Sequence, residues 1–202
     1  MANFTDTLKI ILRNEGGYNC AFTGSGETYK GIDRNYSSNW QGWQIIDNLK
    51  RTGRVDAQCR KRGEQYIYSS LLDKLVTQWY ATILLPYFSN YTGIRNQTLA
   101  TFLADFVWHK PYRAIAITNS IVQRINPGVV TNSNYITQDA INTINRNSTT
   151  FYTMLRNSRI AYYKNPQSFN SNWSEVFTTT QQGLLNRVNS FPKTLTFWSW
   201  LF

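Results

Sequence analysis

Apolar and polar positions along most of this chain repeat with the period of an amphipathic helix. In residues 3–15, Phe4, Leu8, Ile11 and Leu12 fall on one helical face, and Thr5 or Asp6 is expected to cap the start. Gly16 and Gly17 then break the helix. Residues 16–39 lose the helical period. They are rich in Gly, Ser, Asn and Thr and predict a loop or a short irregular hairpin. The helical pattern returns over 40–51, and Gly53 opens a basic linker that runs to about Glu64. Residues 66–80 predict a helix whose apolar face is Ile67, Leu71, Leu72, Leu75 and Trp79, with Pro86 ending whatever continues through Leu85.

The second half repeats this pattern. Residues 98–108 predict a helix stopped by Pro111, and Pro111 suits the first turn of the next, which runs to Ile125 with Ile115, Ile117, Ile121 and Val122 apolar. A helix capped at Thr137 runs through Ile144. Another covers 150–164, with Phe151, Leu155, Ile160 and Tyr163 apolar and Pro166 closing it. A last helix spans roughly 173–190, with Gly183 inside it. The end of the sequence, Trp198 to Phe202, is too apolar for a free tail and is expected to pack on the body or on a partner. The pattern predicts a mainly α fold with a small irregular loop or hairpin after the first helix.

Composition narrows the function classes. A length of 202 residues suffices for a core of its own. The 13 Tyr and 7 Trp suit a carbohydrate cleft, where flat rings stack on sugar faces, although ordinary packing also consumes aromatics. The net charge of +10 is spread along the chain, +4 in the first hundred residues and +6 in the rest. The densest cluster is Arg60-Lys61-Arg62, with Arg51 and Arg54 just before it. A basic surface favours polyanions such as nucleic acid, membrane surfaces or an anionic cell wall. No basic stripe or nucleic-acid reader motif is present, so nucleic acid is not the expected partner.

Two cysteines, Cys20 and Cys59, are too few and too far apart for a disulfide framework or a zinc site. The single histidine, His109, excludes a His-rich metal site, and no metal or cofactor is expected. No run reaches the ~18 apolar residues of a membrane span. The amphipathic N-terminus carries Asp6, Lys9, Arg13 and Glu15 and does not read as a cleavable signal peptide. The expectation is a protein made in the cytoplasm and released by some other route if it works outside.

The candidate chemistry centres on Glu15-Gly16-Gly17-Tyr18. A carboxylate at a helix end beside a glycine corner can face a cleft, and the apolar neighbours Ile11 and Tyr18 favour the protonated form a general acid needs. The same residues also describe a solvated helix-end acid followed by an ordinary glycine stop.

These residues resemble a family pattern. Glu15-Gly16-Gly17-Tyr18, followed by Ser25-Gly26-Glu27-Thr28-Tyr29-Lys30-Gly31-Ile32, is similar to glycoside hydrolase family 108, the lysozyme-like N-acetylmuramidases of phages and bacteria. Trp40 to Asp47, Ala104-Asp105-Phe106 through Arg113-Ala114, Arg159 to Tyr163 and Gly183 to Val188 extend the likeness, in order, over about nine-tenths of the chain. The resemblance implies a lysozyme-like domain over 1–110 and a helical peptidoglycan-binding-like module over 111–202. It implies cleavage of the β-1,4 bond between N-acetylmuramic acid and N-acetylglucosamine in peptidoglycan, by a phage- or prophage-encoded endolysin acting in the periplasm or wall, released through a holin or carried in a virion.

Carried over residue by residue, Glu15 matches the general acid and Thr28 the threonine that holds the attacking water. Tyr18, Tyr29 and Gly31 are the expected substrate-binding positions. One departure stands out. Where the family has Asp-Pro-Gly-Gly, this chain has Thr23-Gly24-Ser25-Gly26, one residue shorter, and the expected Asp is Thr23. Glu27 and Asp33 are the candidates for a second carboxylate. The family's Asn-Ser-Gly turn reads Trp108-His109-Lys110 here, and His109 is expected to be a turn or core histidine. The departure leaves open a wall-binding or virion structural protein of the same fold with reduced or no activity.

Overall fold

The structure is a computed structural model that describes residues 1–20, 26–56, 65–170 and 181–195. The elements run α1 (Phe4–Arg13), β1 (Tyr18–Asn19), β2 (Thr28–Tyr29), β3 (Ile32–Asp33), α2 (Gly42–Arg51), α3 (Ser70–Leu84), α4 (Gln97–His109), α5 (Pro111–Ile125), α6 (Gln138–Arg146), α7 (Ser148–Lys164) and α8 (Gln181–Asn189). The fold is mainly α, with one small antiparallel sheet in the order β1-β2-β3. Among the described residues no helix is long and apolar enough to cross a membrane. Thr23, Cys59, the Arg60-Lys61-Arg62 cluster and the apolar end from Trp198 lie outside the described residues.

The chain divides into two compact units, one of Leu8–Ile83 and one of Met1–Thr7 with Leu84–Phe202. In the second unit, α4 packs on α5 and α7, α5 on α6 and α7, and α7 on α8. The sequence boundary at residue 110 thus falls between two helices of one unit. α4 is buried all round: every residue from Leu99 to Val107 is buried, as befits the central helix of a bundle. Asp105 is the one charge in that run, and it is fully buried. Arg159 of α7 donates to its Oδ2 at 2.7 Å and Arg187 of α8 to its Oδ1 at 2.8 Å, so one carboxylate joins three helices.

Asn3 caps α1: its side-chain oxygen accepts from the backbone N–H groups of Thr5 and Asp6 at 2.8 and 3.3 Å. The cap therefore lies two to three residues before the expected Thr5 or Asp6. Thr7 instead turns inward, bonded to the hydroxyls of Tyr91 and Thr101.

In the Leu8–Ile83 unit, Leu8, Ile11, Tyr18, Tyr29, Ile32, Trp43, Ile46, Leu72, Val76 and Tyr80 form the core. α3 departs from the sequence reading in two ways. It begins at Ser70, with the Ser69 hydroxyl oxygen accepting from the Leu72 N–H at 3.3 Å, because Gln65 is held in a bridge with Tyr18 and the chain stays extended until that cap. Its buried stripe is Leu72, Val76 and Tyr80, one residue round from the expected face. The stripe Leu71, Leu75 and Trp79 lies outside the core, with Leu71 exposed and Leu75 and Trp79 half-buried.

Candidate active site

The corner after α1 is built from two glycines with different tasks. Asn14 and Glu15 continue from α1 as a turn, their N–H groups donating to the carbonyls of Ile11 and Leu12. Gly16 then takes φ +71°, a left-handed conformation that closes helices and suits glycine. Gly17 lies against another stretch of backbone: a Cβ there would sit 2.5 Å from the Gln65 carbonyl oxygen. Immediately beyond, Tyr18 and Gln65 exchange both backbone hydrogen bonds at 2.8 Å. The Gly17 carbonyl also accepts from the Lys30 N–H at 3.2 Å, which fastens the corner to the hairpin. Glu15 is half-buried on this corner.

The hairpin follows the rules of two-residue turns. Lys30 and Gly31 have φ of +47° and +75° between Tyr29 and Ile32, the paired positive values that match strand twist. Gly31 satisfies this at no steric cost; Lys30 does not. Tyr80 donates to the Lys30 carbonyl at 2.8 Å, and the Lys30 ammonium pairs with Asp73 at 2.7 Å, so α3 holds the unfavourable residue in place.

Strand register sorts the candidate residues onto two faces. Tyr18 pairs with Tyr29 and Tyr29 with Ile32, and all three are fully buried. Asn19 pairs with Thr28 and Thr28 with Asp33, and these three lie on the accessible face. Thr28 and Asp33 are therefore brought together. Tyr18 and Tyr29 form the wall behind them, with no ring face open to a ligand, and Gly31 serves the turn. Asp33 accepts the Asn35 N–H at 2.7 Å, which orients its carboxylate.

Glu27 is engaged on all sides. Tyr18 donates its hydroxyl to Oε1 at 3.0 Å, Arg34 donates to Oε2 at 2.6 Å, and Lys50 donates to Oε1. Arg34 also grips Asp47 through two bonds of 2.7 Å and lies over the Trp43 ring at 5.2 Å. Burial alone would raise the Glu27 carboxyl, but its bonds to Lys50, Arg34 and Tyr18 outweigh that and hold it below the usual carboxylate range. Such a group is a poor proton acceptor. Burial and the hydrogen bond to Glu27 push the Tyr18 phenol well up, so it remains a donor.

Sequence reading offered no reason to join Arg34, Asp47 and Lys50 to Glu27, because the cluster forms only when the hairpin meets α2. Asn19 was missed for a similar reason: its place opposite Thr28 is set by the pairing of two-residue strands. His109, the only histidine, is pushed down to about 3 by burial and by nearby Arg187, and stays neutral. It is half-buried at the last position of α4. Cys20, next to β1, is disulfide-bonded.

No protein-family model matches the chain, and no curated protein matches it. Among solved structures, that of Brucella abortus SagA is similar, with a TM-score of 0.50 and 18% sequence identity over 93% of this chain and 94% of that chain. At that identity the likeness is one of fold: this chain has an overall fold similar to that of SagA.

Proposed function

We propose that this protein is a peptidoglycan hydrolase of the family 108 kind, cleaving the β-1,4 bond between N-acetylmuramic acid and N-acetylglucosamine. The observation that carries the reading is the Glu15-Gly16-Gly17 corner, hydrogen-bonded onto the hairpin that bears Thr28 and Asp33. Glycoside cleavage needs a protonated carboxyl beside the leaving oxygen and a second group for the attacking water. Glu15 supplies the first. On the accessible face of the hairpin, Thr28 holds the water by its hydroxyl, and Asp33, its cross-strand partner, takes the proton. Glu27 acts as a brace: three donors hold its carboxylate and its proton affinity is lowered.

The net charge of +10 suits an anionic wall, and the disulfide at Cys20 suits an oxidising compartment such as the periplasm. Phage or prophage origin and release through a holin or in a virion belong to the same proposal. The test is digestion of purified sacculi, with mass spectrometry of the released muropeptides. New reducing ends on N-acetylmuramic acid support the reading; reducing ends on N-acetylglucosamine, or cleaved peptide stems, contradict it.

One observation favours a second reading. The engagement of Glu27 leaves Asp33 as the one described carboxylate candidate beside Thr28. If Asp33 does not serve, the protein is a wall-binding or virion structural component of the same fold, which pellets with sacculi and releases nothing.

A further inference from the structure

The stripe of α3 that the core does not use lines a surface pocket. This pocket, of about 240 Å³, is formed by Trp40, Leu75 and Trp79 with Asn39, Gln41, Gln78 and Thr82 around them. None of these residues is Glu15, Asn19, Thr28 or Asp33.

The aromatic parts are fixed in advance. Trp40 is stacked on Tyr29 at 6.1 Å and meets Trp43 edge-on at 5.3 Å. It folds over Gly42, where any Cβ would land on its ring. Trp79 meets the Tyr80 ring edge-on at 5.2 Å, and Tyr80 is anchored by its bond to the Lys30 carbonyl. A ligand meeting these rings therefore costs little ordering entropy.

The polar parts specify the ligand class. Asn39, Gln41, Gln78 and Thr82 are exposed; the three amides both donate and accept, and the Thr82 hydroxyl, which donates to the Trp79 carbonyl at 2.7 Å, offers an acceptor. No lining residue is charged, so the pocket has nothing to neutralise a carboxylate, a phosphate or an ammonium. Trp40 is buried, 8% exposed, and forms the floor, whereas Trp79 is half-buried and keeps part of its ring at the surface. An aromatic wall, an aliphatic Leu75 and a polar rim match a neutral pyranose: the Trp79 ring takes its C–H face, the rim its hydroxyls, and Leu75 the methyl of an acetamido group.

We propose that the Trp40–Trp79 pocket is a second glycan-binding site, taking an uncharged N-acetylated pyranose of a polysaccharide strand. Binding there needs no catalysis. Only the identification of the strand as peptidoglycan rests on the function proposed above.

The test is titration of the full-length Glu15→Gln variant with N,N′,N″-triacetylchitotriose, followed by NMR at the indole N–H resonances, with Trp79→Phe used to assign Trp79. The Trp79 indole signal is expected to shift on titration. Trp79→Ala is expected to weaken this site about tenfold, Gln78→Ala, at an exposed position, by about two- to tenfold, and Trp79→Phe by less than Trp79→Ala. Titration with maltotriose, which lacks the acetamido group, should give weaker binding. No shift at Trp79, or affinity unchanged in both Trp79→Ala and Gln78→Ala, overturns the proposal. The sacculus digestion assay, run in parallel, reports on cleavage alone, so either idea can fail without the other.

Discussion

Tyr18 donates its phenolic hydrogen to Glu27 at 3.0 Å, and this bond ties β1 to the residue that leads into Thr28. The same carboxylate takes Arg34 and Lys50, which brings the hairpin and α2 onto one anion. A residue that sequence resemblance offers as a second catalytic acid is thereby read as part of the frame. The two roles predict different experiments.

For Glu27→Gln, stability is expected to fall by about 1–3 kcal/mol, since charge-assisted hydrogen bonds are weakened. The acid limb of the stability profile should also flatten. Folding lowers the Glu27 carboxyl, so its contribution is full above the unfolded-state value of about 4.3 and is lost as pH falls through the lower folded-state value. Asp47, held below the usual carboxylate range mainly by Arg34, adds in the same sense. Thermal unfolding of both proteins from pH 7 to pH 3 checks this. Equal acid sensitivity in wild type and variant would remove Glu27 from the brace.

For Asp33→Asn, hydrolysis is expected to fall at least ~100-fold with the unfolding temperature little changed. The loss should exceed that in Glu27→Gln, assayed at a temperature where both variants are folded. Muropeptide release by the two variants decides it. A Glu27→Gln protein that is folded yet inactive, beside an active Asp33→Asn protein, would exchange their roles.

Gly17→Ala tests the corner without touching a polar group. Its methyl group would meet the Gln65 carbonyl at 2.5 Å, backbone against backbone, and neither side can swing away. A destabilisation of about 1–3 kcal/mol is expected, as for overpacking. Hydrogen exchange at Tyr18 and Gln65 should accelerate with it, since their two mutual bonds lie next to the insertion.

Asp105 is the corresponding test of the helical unit. Burial would raise its carboxyl, but Arg159 and Arg187 together hold it below the usual range. Asp105→Asn leaves those two guanidinium groups in the interior without their counter-charge. A loss of about 3–5 kcal/mol is expected in denaturant unfolding, the scale for removing one partner of a buried pair.

The helical frame was legible because its period is strong where helices are long and one-sided. Pro111, Pro166 and the Thr137 cap mark ends the structure keeps. The face of α3 was not legible. Leu71, Leu72, Leu75, Val76, Trp79 and Tyr80 make two adjacent apolar stripes, and the period cannot say which one the core takes. Packing of Tyr80 under Lys30 chooses the Leu72 stripe and leaves the other to the pocket. The cap of α1 was missed because Asn3, Thr5 and Asp6 all have capping side chains. Gly31 was legible as a turn residue, whereas the burial of Tyr18 and Tyr29 depends on a register that two-residue strands do not reveal. The cluster joins Glu27 to residues up to 23 positions away and has no local signature.

The central claim is that Glu15 supplies the proton to the leaving glycosidic oxygen. The direct measurement is the rate of muropeptide release from purified sacculi by wild type and Glu15→Gln, both shown to be folded by circular dichroism. Glutamine keeps the shape and cannot donate that proton. The account predicts at least a ~100-fold lower rate for Glu15→Gln with sacculus binding unchanged. Release at the wild-type rate by the variant, or no release by either protein, would contradict it.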